Sequence, residues 1–177
     1  MPSSPTHAAV PMPQQTDLHA RFNALLQQHR GIVLKVAASY CRDPNDRADL
    51  AQDIATHLWR AFPSYDPHRR FSTWMYRIAL NVAISDLRSR RHAPGEVLDV
   101  GTLVDSIADP HARDPAREHQ LTALYTFIAQ LPRLERALML LYLDDHSYRE
   151  IADVLGISET NVATKLSRLK ARIRAEL

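Results

Sequence analysis

Apolar residues recur along this chain every three or four positions and nowhere alternate, which is the period of helices packed along one face. Leu18, Phe22, Leu25 and Leu26 follow Asp17, a residue suited to cap a first helix. Ile32, Val33, Val36, Ala37 and Tyr40 continue the pattern beyond Gly31, where that helix is expected to break or bend. A turn at Arg42, Asp43 and Pro44 leads into a second helix from about Asp46, with Leu50, Ile54 and Leu58 as its inward stripe, and Pro63 stops it. A third helix is expected from about Phe71, with Ser72 as a candidate cap. Trp74, Ile78, Val82 and Leu87 would face inward while Arg77, Arg88, Arg90 and Arg91 stay wet, and Pro94 and Gly95 end it.

Residues 93–118 lose this period, gain prolines and turn acidic, the composition of a flexible linker. A second helical group begins near Glu118 with Leu121, Leu124, Phe127, Ile128 and Leu131; Pro132 opens the next helix, and Leu134, Leu138, Leu141 and Tyr142 continue the core. The pattern therefore predicts an all-α chain of two small helical domains, of three helices at 18–92 and four at 119–177. The acidic linker joins them, and a proline-rich tail at 1–17, read as disordered, precedes them.

The last thirty residues carry the most decodable motif. Ser147 opens a short helix with Ile151, Ala152 and Leu155 inward, Gly156 supplies a tight turn, Ile157 plugs the core and Ser158 caps the next helix. That is a helix-turn-helix, whose second helix enters the DNA major groove. On it Val162, Leu166, Leu169 and Ile173 form a buried stripe, opposite Asn161, Thr164, Lys165, Arg168 and Arg172. Arg168 and Thr164 are placed for base edges; Lys165, Lys170 and Arg172 suit phosphates, and the free N–H groups after Ser158 favour an anion.

Composition narrows the classes. Among 177 residues a single Cys excludes an internal disulfide or a thiolate zinc site, so Cys41 is read as an inert thiol in a reduced, cytoplasmic protein. The longest apolar run, Ala137 to Leu143, is too short to insert in a membrane, and the tail has no signal-peptide pattern. The 9 His and many carboxylates show no ligand or triad spacing and there is no Gly-rich phosphate loop, so no metal, no cofactor and no catalysis are expected. The formal charge of +2 hides blocks: 66–92 and 158–177 are basic, whereas 43–65 and 93–118 are acidic. Two basic helical segments point to a polyanion touched at two places.

The segment DLAQDIATHLWRAFPSYDPHRRFSTWMYRIALNVAISDLRSRR, followed by a linker and then LPRLERALMLLYLDDHSYREIADVLGISETNVATKLSRLKARI, resembles a bacterial RNA polymerase sigma factor of the extracytoplasmic-function type, within the sigma-70 family. The resemblance covers nearly everything from about residue 20 onward. It implies that 18–92 is the region 2 domain, which binds core polymerase and melts the minus-ten element, and that 119–177 is the region 4 domain, which reads the minus-thirty-five element. It also implies roles residue by residue: Asp49, Gln52 and Asp53 for core polymerase; Tyr65 and Asn81 for a flipped base of the melted non-template strand, with Trp74 beside them; Arg69, Arg70, Arg77, Arg88 and Arg90 for that strand's phosphates; and Ser158, Thr160, Asn161, Thr164, Lys165, Arg168 and Arg172 for duplex DNA upstream.

An aromatic ring stacks on an unstacked base and an amide reads its edge, so the Tyr65 and Asn81 assignment is chemically coherent. The partners implied are core polymerase, promoter DNA and an anti-sigma protein. The acidic linker, through Asp99, Asp105 and Asp109, would lie along the polymerase's basic RNA path. A polymerase-independent helix-turn-helix regulator would explain 119–177 equally well, but leaves the basic third helix and the Tyr65 loop without a task.

Overall fold

In a computed structural model the described residues are 13–89 and 115–176, with side chains described from 17 to 85 and from 120 to 176. Among them there are α-helices and one 3-10 turn and no strand. The first group is α1 (Pro13–Gln28), α2 (Arg30–Tyr40), α3 (Pro44–Ala61), the turn Phe62–Ser64 and α4 (Phe71–Ser89). The second is α5 (Pro115–Gln130), α6 (Arg133–Leu143), α7 (Tyr148–Leu155) and α8 (Glu159–Glu176).

Local chemistry sets these boundaries. The chain breaks at His29, whose ψ of 13° lies outside the helical range, two residues before the expected Gly31. The first domain thus holds four helices, not three. Asp43 caps α3 by accepting from the Asn45 and Asp46 amides, and Pro44 takes the first-turn position where its missing N–H costs nothing. Leu50, Ile54 and Leu58 are wholly buried, as their spacing predicts.

Helix α4 differs from its predicted face. Phe71, Met75, Tyr76, Ala79, Leu80 and Ala83 are buried, while Trp74, Ile78 and Val82 are only partly covered. The reason is that α4 is covered from two sides, by α2 and α3 and also by α6 and α7 of the second group. Helix α5 begins at Pro115, inside the stretch read as linker; the tail up to residue 12, the linker residues 93–114 with Asp99, Asp105 and Asp109, and the side chain of Leu87 lie outside the described residues.

The two helical groups do not sit apart. Buried residues of both form one continuous hydrophobic cluster, in which α2 meets α5 and α4 meets α6 and α7. Polar contacts seal the junction: the Tyr40 hydroxyl donates to the Arg133 carbonyl at 2.9 Å, and Arg136 donates to the Ser39 carbonyl at 2.6 Å and to the Ala129 and Leu131 carbonyls. The Arg136 guanidinium also lies 5.1 Å from the centre of the Tyr40 ring. Burial lowers the Arg136 pKa, partly offset by Tyr40, and raises the phenol of Tyr40.

Candidate nucleic-acid interface

The loop before α4 is built on aromatic packing. Tyr65 lies parallel to Phe62 with ring centres 6.0 Å apart, meets Phe71 edge-on at 5.3 Å and reaches Trp74 at 5.0 Å. Its hydroxyl donates to the Arg69 carbonyl at 2.7 Å, which closes the loop onto the start of α4. Burial pushes the Tyr65 phenol up, against the pull of Arg21. Both Tyr65 and Trp74 are half-buried, so each shows part of its ring to solvent and packs the rest inward.

Seven residues make about two helical turns, so Trp74 and Asn81 share one face of α4, with Arg77 beside them. Arg69, Arg70, Arg77 and Asn81 are exposed around this aromatic cluster. The side chain of Arg88, and Arg90 altogether, lie outside the described residues.

Part of this face already has a partner from the second group. Arg70 donates to the Glu150 carboxylate at 3.2 Å, the Thr73 hydroxyl donates to the same oxygen at 3.0 Å, and Arg77 donates to the Asp153 carbonyl at 3.0 Å. A cleft of about 320 Å³ remains between α4 and α7, with Arg69, Trp74 and Arg149 in its wall. Glu150 resists its own partial burial because the Ser147 amide and hydroxyl, Thr73 and Arg70 all favour the carboxylate, and its pKa falls to about 2.

Beneath this lies a second knot of polar groups. Asp144, at the C-terminal cap of α6, pairs with Lys35 of α2 and accepts from the Tyr76 hydroxyl at 2.7 Å. A carboxylate is poorly placed at a helix C-terminus, so these two partners account for its presence. His146 is buried edge-on against Tyr76 at 5.3 Å, with the Thr73 hydroxyl 3.4 Å from its Nδ1; burial lowers its pKa despite Glu150. Thr73, Asp144, His146 and Glu150 were not legible as site residues. Only Glu150 left a signal, since Ser147 and Glu150 have capping-box spacing.

The helix-turn-helix is well defined. Ser147 accepts from the Glu150 amide while Glu150 accepts from the Ser147 amide, the reciprocal capping box that starts α7. Gly156 ends it at φ 66°, a left-handed conformation that costs a glycine nothing, and Ser158 accepts from the Asn161 amide at 3.2 Å.

On α8, Val162, Leu166 and Leu169 are buried and Ile173 partly so. Ser158, Thr160, Asn161, Thr164 and Arg168 are exposed on the other side, with the Thr164 hydroxyl turned back to the Thr160 carbonyl at 2.9 Å. Lys165 is half-buried on the flank. Arg172 is exposed, 3.7 Å from both Glu135 and Glu176 and 5.3 Å from the centre of the Phe127 ring, and Lys170 lies 4.1 Å from the centre of the Tyr142 ring. Those two cations therefore help hold α8 to its domain.

Asp49, Gln52 and Asp53 are exposed on α3, turned away from Leu50 and Ile54. Among the described residues no cluster of His, Cys, Asp and Glu could hold a metal, and no helix is long and apolar enough to cross a membrane. Cys41 is buried.

Comparison with known proteins agrees with this geometry. Residues 25–93 match the family model for sigma-70 region 2, and residues 121–173 match that for sigma-70 region 4. The chain is 29% identical over 160 residues to "Probable RNA polymerase sigma factor RfaY" of Xanthomonas campestris pv. campestris, covering 88% of this chain and 40% of that protein. It is 26% identical to the ECF RNA polymerase sigma factor SigM of Bacillus subtilis, over 87% of this chain and 93% of SigM. It is 28% identical to the ECF RNA polymerase sigma-E factor of Haemophilus influenzae, over 96% and 94% of the two chains. It thus spans less than half of the first relative and more than nine-tenths of the other two.

Among solved structures, CnrH in complex with the cytosolic domain of CnrY superposes with a TM-score of 0.62 at 25% identity, over 89% of this chain and 87% of that one. The sigma factor RpoE in complex with the anti-sigma factor NepR, from Bartonella quintana, shares the fold with a TM-score of 0.63 at 18% identity, over 90% and 95%. With two family models in order on two capped helical groups, and with full-length relatives of one kind, the chain belongs to the sigma-70 family as an RNA polymerase sigma factor of the ECF type.

Proposed function

We propose that the two basic surfaces divide promoter recognition between them, on a chain held to core polymerase by Asp49, Gln52 and Asp53. Helix α8 enters the major groove of the minus-thirty-five element, where Arg168 and Thr164 meet base edges and Thr160, Asn161 and Ser158 fix its register against the backbone. The α4 face holds the melted minus-ten strand: Tyr65 stacks on a flipped base, Asn81 reads its edge, and Arg69, Arg70 and Arg77 neutralise phosphates. Trp74 braces Tyr65 through the shared aromatic cluster. Arg172 works mainly within the domain.

The observation that carries this reading is the meeting of an aromatic loop, three arginines and an amide on one end and face of α4, a set that duplex binding by α8 would not need. The chain performs no chemistry of its own; it acts in the cytoplasm with the polymerase, and an anti-sigma protein is a further partner. The linker that precedes α5 serves to let the two domains reach two promoter elements.

The test is transcription from a defined start by core polymerase supplied with this chain. Y65A and N81A should impair strand opening, read by permanganate reactivity, much more than recruitment, read by gel shift of the polymerase on duplex promoter. Equal losses in both assays would reject the pocket.

A further inference from the structure

The cleft between α4 and α7 has a lining that promoter recognition leaves unused. Arg69, Arg70 and Arg77 reach it from the α4 side and Arg149 from α7, and these four guanidiniums against the carboxylates of Glu150 and Asp153 leave its walls at a formal +2. Two of the cations are committed, Arg70 to the Glu150 carboxylate at 3.2 Å and Arg77 to the Asp153 carbonyl at 3.0 Å. The other two are not. Among the described residues the Arg69 guanidinium has only a 4.0 Å approach to Asp66, with both side chains more than half exposed, and Arg149 is exposed with no hydrogen bond or ion pair.

The same cleft holds an aromatic surface. Trp74 is half-buried and packed against Tyr65 and Phe71, with ring centres 5.0 and 5.2 Å away, and Val154 of α7 adds an apolar patch. An indole held by two neighbouring rings is a rigid stacking surface, and an uncommitted guanidinium is a fork of donors shaped for phosphate oxygens.

We propose that this cleft is a site for a free nucleoside diphosphate, whose base stacks on Trp74 and whose phosphates bridge Arg69 and Arg149. Each part of the lining selects a part of that ligand. A flat ring fits an indole and a valine, whereas two uncommitted cations in walls of net positive charge call for more than one anionic oxygen group. The volume, about 320 Å³, lies at the small end of ligand pockets and suits one nucleotide rather than a chain of them. Binding breaks no existing contact, because Arg70 and Arg77 keep their partners. The site does not depend on the assignment of α4 to the melted strand, since Arg149 has no part in that assignment.

The test uses the full chain and ADP, with adenosine and pyrophosphate as its two fragments, by isothermal titration calorimetry in metal-free buffer. ADP should bind saturably at one site with a Kd below about 1 mM, and each fragment about tenfold more weakly or worse. The chain holds two Trp residues, so in a W59F background the quenching of Trp74 fluorescence by ADP reports the stacking itself. R149A and W74A should each weaken ADP binding about tenfold, and R149K should recover part of the loss, since it restores the charge without the fork. Arg149 is exposed, so R149A tests the site without disturbing the core.

Absence of saturable ADP binding would overturn the proposal, as would full ADP affinity in R149A. Pyrophosphate bound as tightly as ADP would overturn the nucleoside. A mixed-sequence single-stranded DNA of about 12 nucleotides, measured in parallel, separates a free nucleotide from the melted strand. If R149A costs strand binding as much as it costs ADP binding, the cleft belongs to the strand and the free nucleotide is rejected.

Discussion

The faces of α4 and α8 carry the same kinds of side chain, yet one is partly engaged by the protein's own oxygens and the other is not. Arg70 and Arg77 are hydrogen-bonded to α7, whereas Thr160, Asn161 and Arg168 face solvent. The difference teaches that basic character does not by itself measure what a polyanion can reach. Near α4 the protein supplies its own anions, and near α8 it does not. Even on α8 the cations divide, because Arg172 and Lys170 are occupied by Glu135, Phe127 and Tyr142.

The largest expected effect tests whether the covered face is an integral part of the fold. Ile151 is wholly buried in α7, and truncating it as I151A should cost about 2–5 kcal/mol of stability. Thermal melting followed by circular dichroism should show one transition moving for the whole chain. Two separated transitions, only one of them shifted, would mean that α4 is covered by an independent neighbour and would break the contrast between the faces.

The open face gives the next effect. Arg168→Ala should lose about 1–3 kcal/mol of discrimination at one base pair, while K165A should weaken binding to all sequences alike and lower the salt slope by about one. R172A should alter melting more than sequence preference. Competition binding against a randomised upstream element reads all three, and a specificity change from R172A as large as that from Arg168→Ala would show that the inward contacts of Arg172 open on DNA.

A smaller effect sits at the junction. Asp145 has φ 56°, so D145G should raise stability by about 0.5–1 kcal/mol, read as a higher melting temperature. No gain would mean that Asp145 has a compensating local contact.

The effect of pH is graded and has a definite sign. His146 faces Glu150 on α7, Asp144 at the end of α6, Lys35 on α2, and Arg70, Thr73 and Tyr76 on or beside α4, and the sum of burial and these charges lowers its pKa below the ordinary 6.5. A proton therefore binds the unfolded chain more readily than the folded one, so the contribution of His146 to stability is fully present above pH 6.5 and is lost as pH falls below it. Glu150, with its pKa held at about 2 against an ordinary 4.5, first by the Ser147 amide and hydroxyl of its own helix cap and then by Thr73 and Arg70, contributes stability above pH 4.5 that is lost only in more acidic solution. The melting temperature should fall between pH 6.5 and 4.5, and H146Q, which cannot gain the charge, should abolish that fall.

Much of this fold is legible in residue order where a helix has one buried face. Leu50, Ile54 and Leu58 on α3, and Val162, Leu166 and Leu169 on α8, are buried as spaced, and Ser147, Gly156 and Ser158 end or start helices as their chemistry dictates, whereas Asp43, read as part of a turn, caps a helix that starts two residues before Asp46. Helix α4 is less legible, because its second covering comes from residues far along the chain. Met75, Tyr76, Ala79 and Leu80 make a stripe only once α6 and α7 are in place. For the same reason the positions of Tyr65, Arg77 and Arg168 could be anticipated from local pattern, while the partners of Arg70, Lys35 and Tyr76 could not. Those pairs join ordinary polar residues across 68 to 109 positions, and nothing local distinguishes them from solvated ones.

Arg136 adds a consequence of a different kind. Its guanidinium meets carbonyls near the ends of α2 and α5 and the ring of Tyr40, all groups that carry no titratable charge at ordinary pH. The contact between the two helical groups therefore has one part that a proton can weaken, around His146 and Glu150, and one that it cannot, around Arg136.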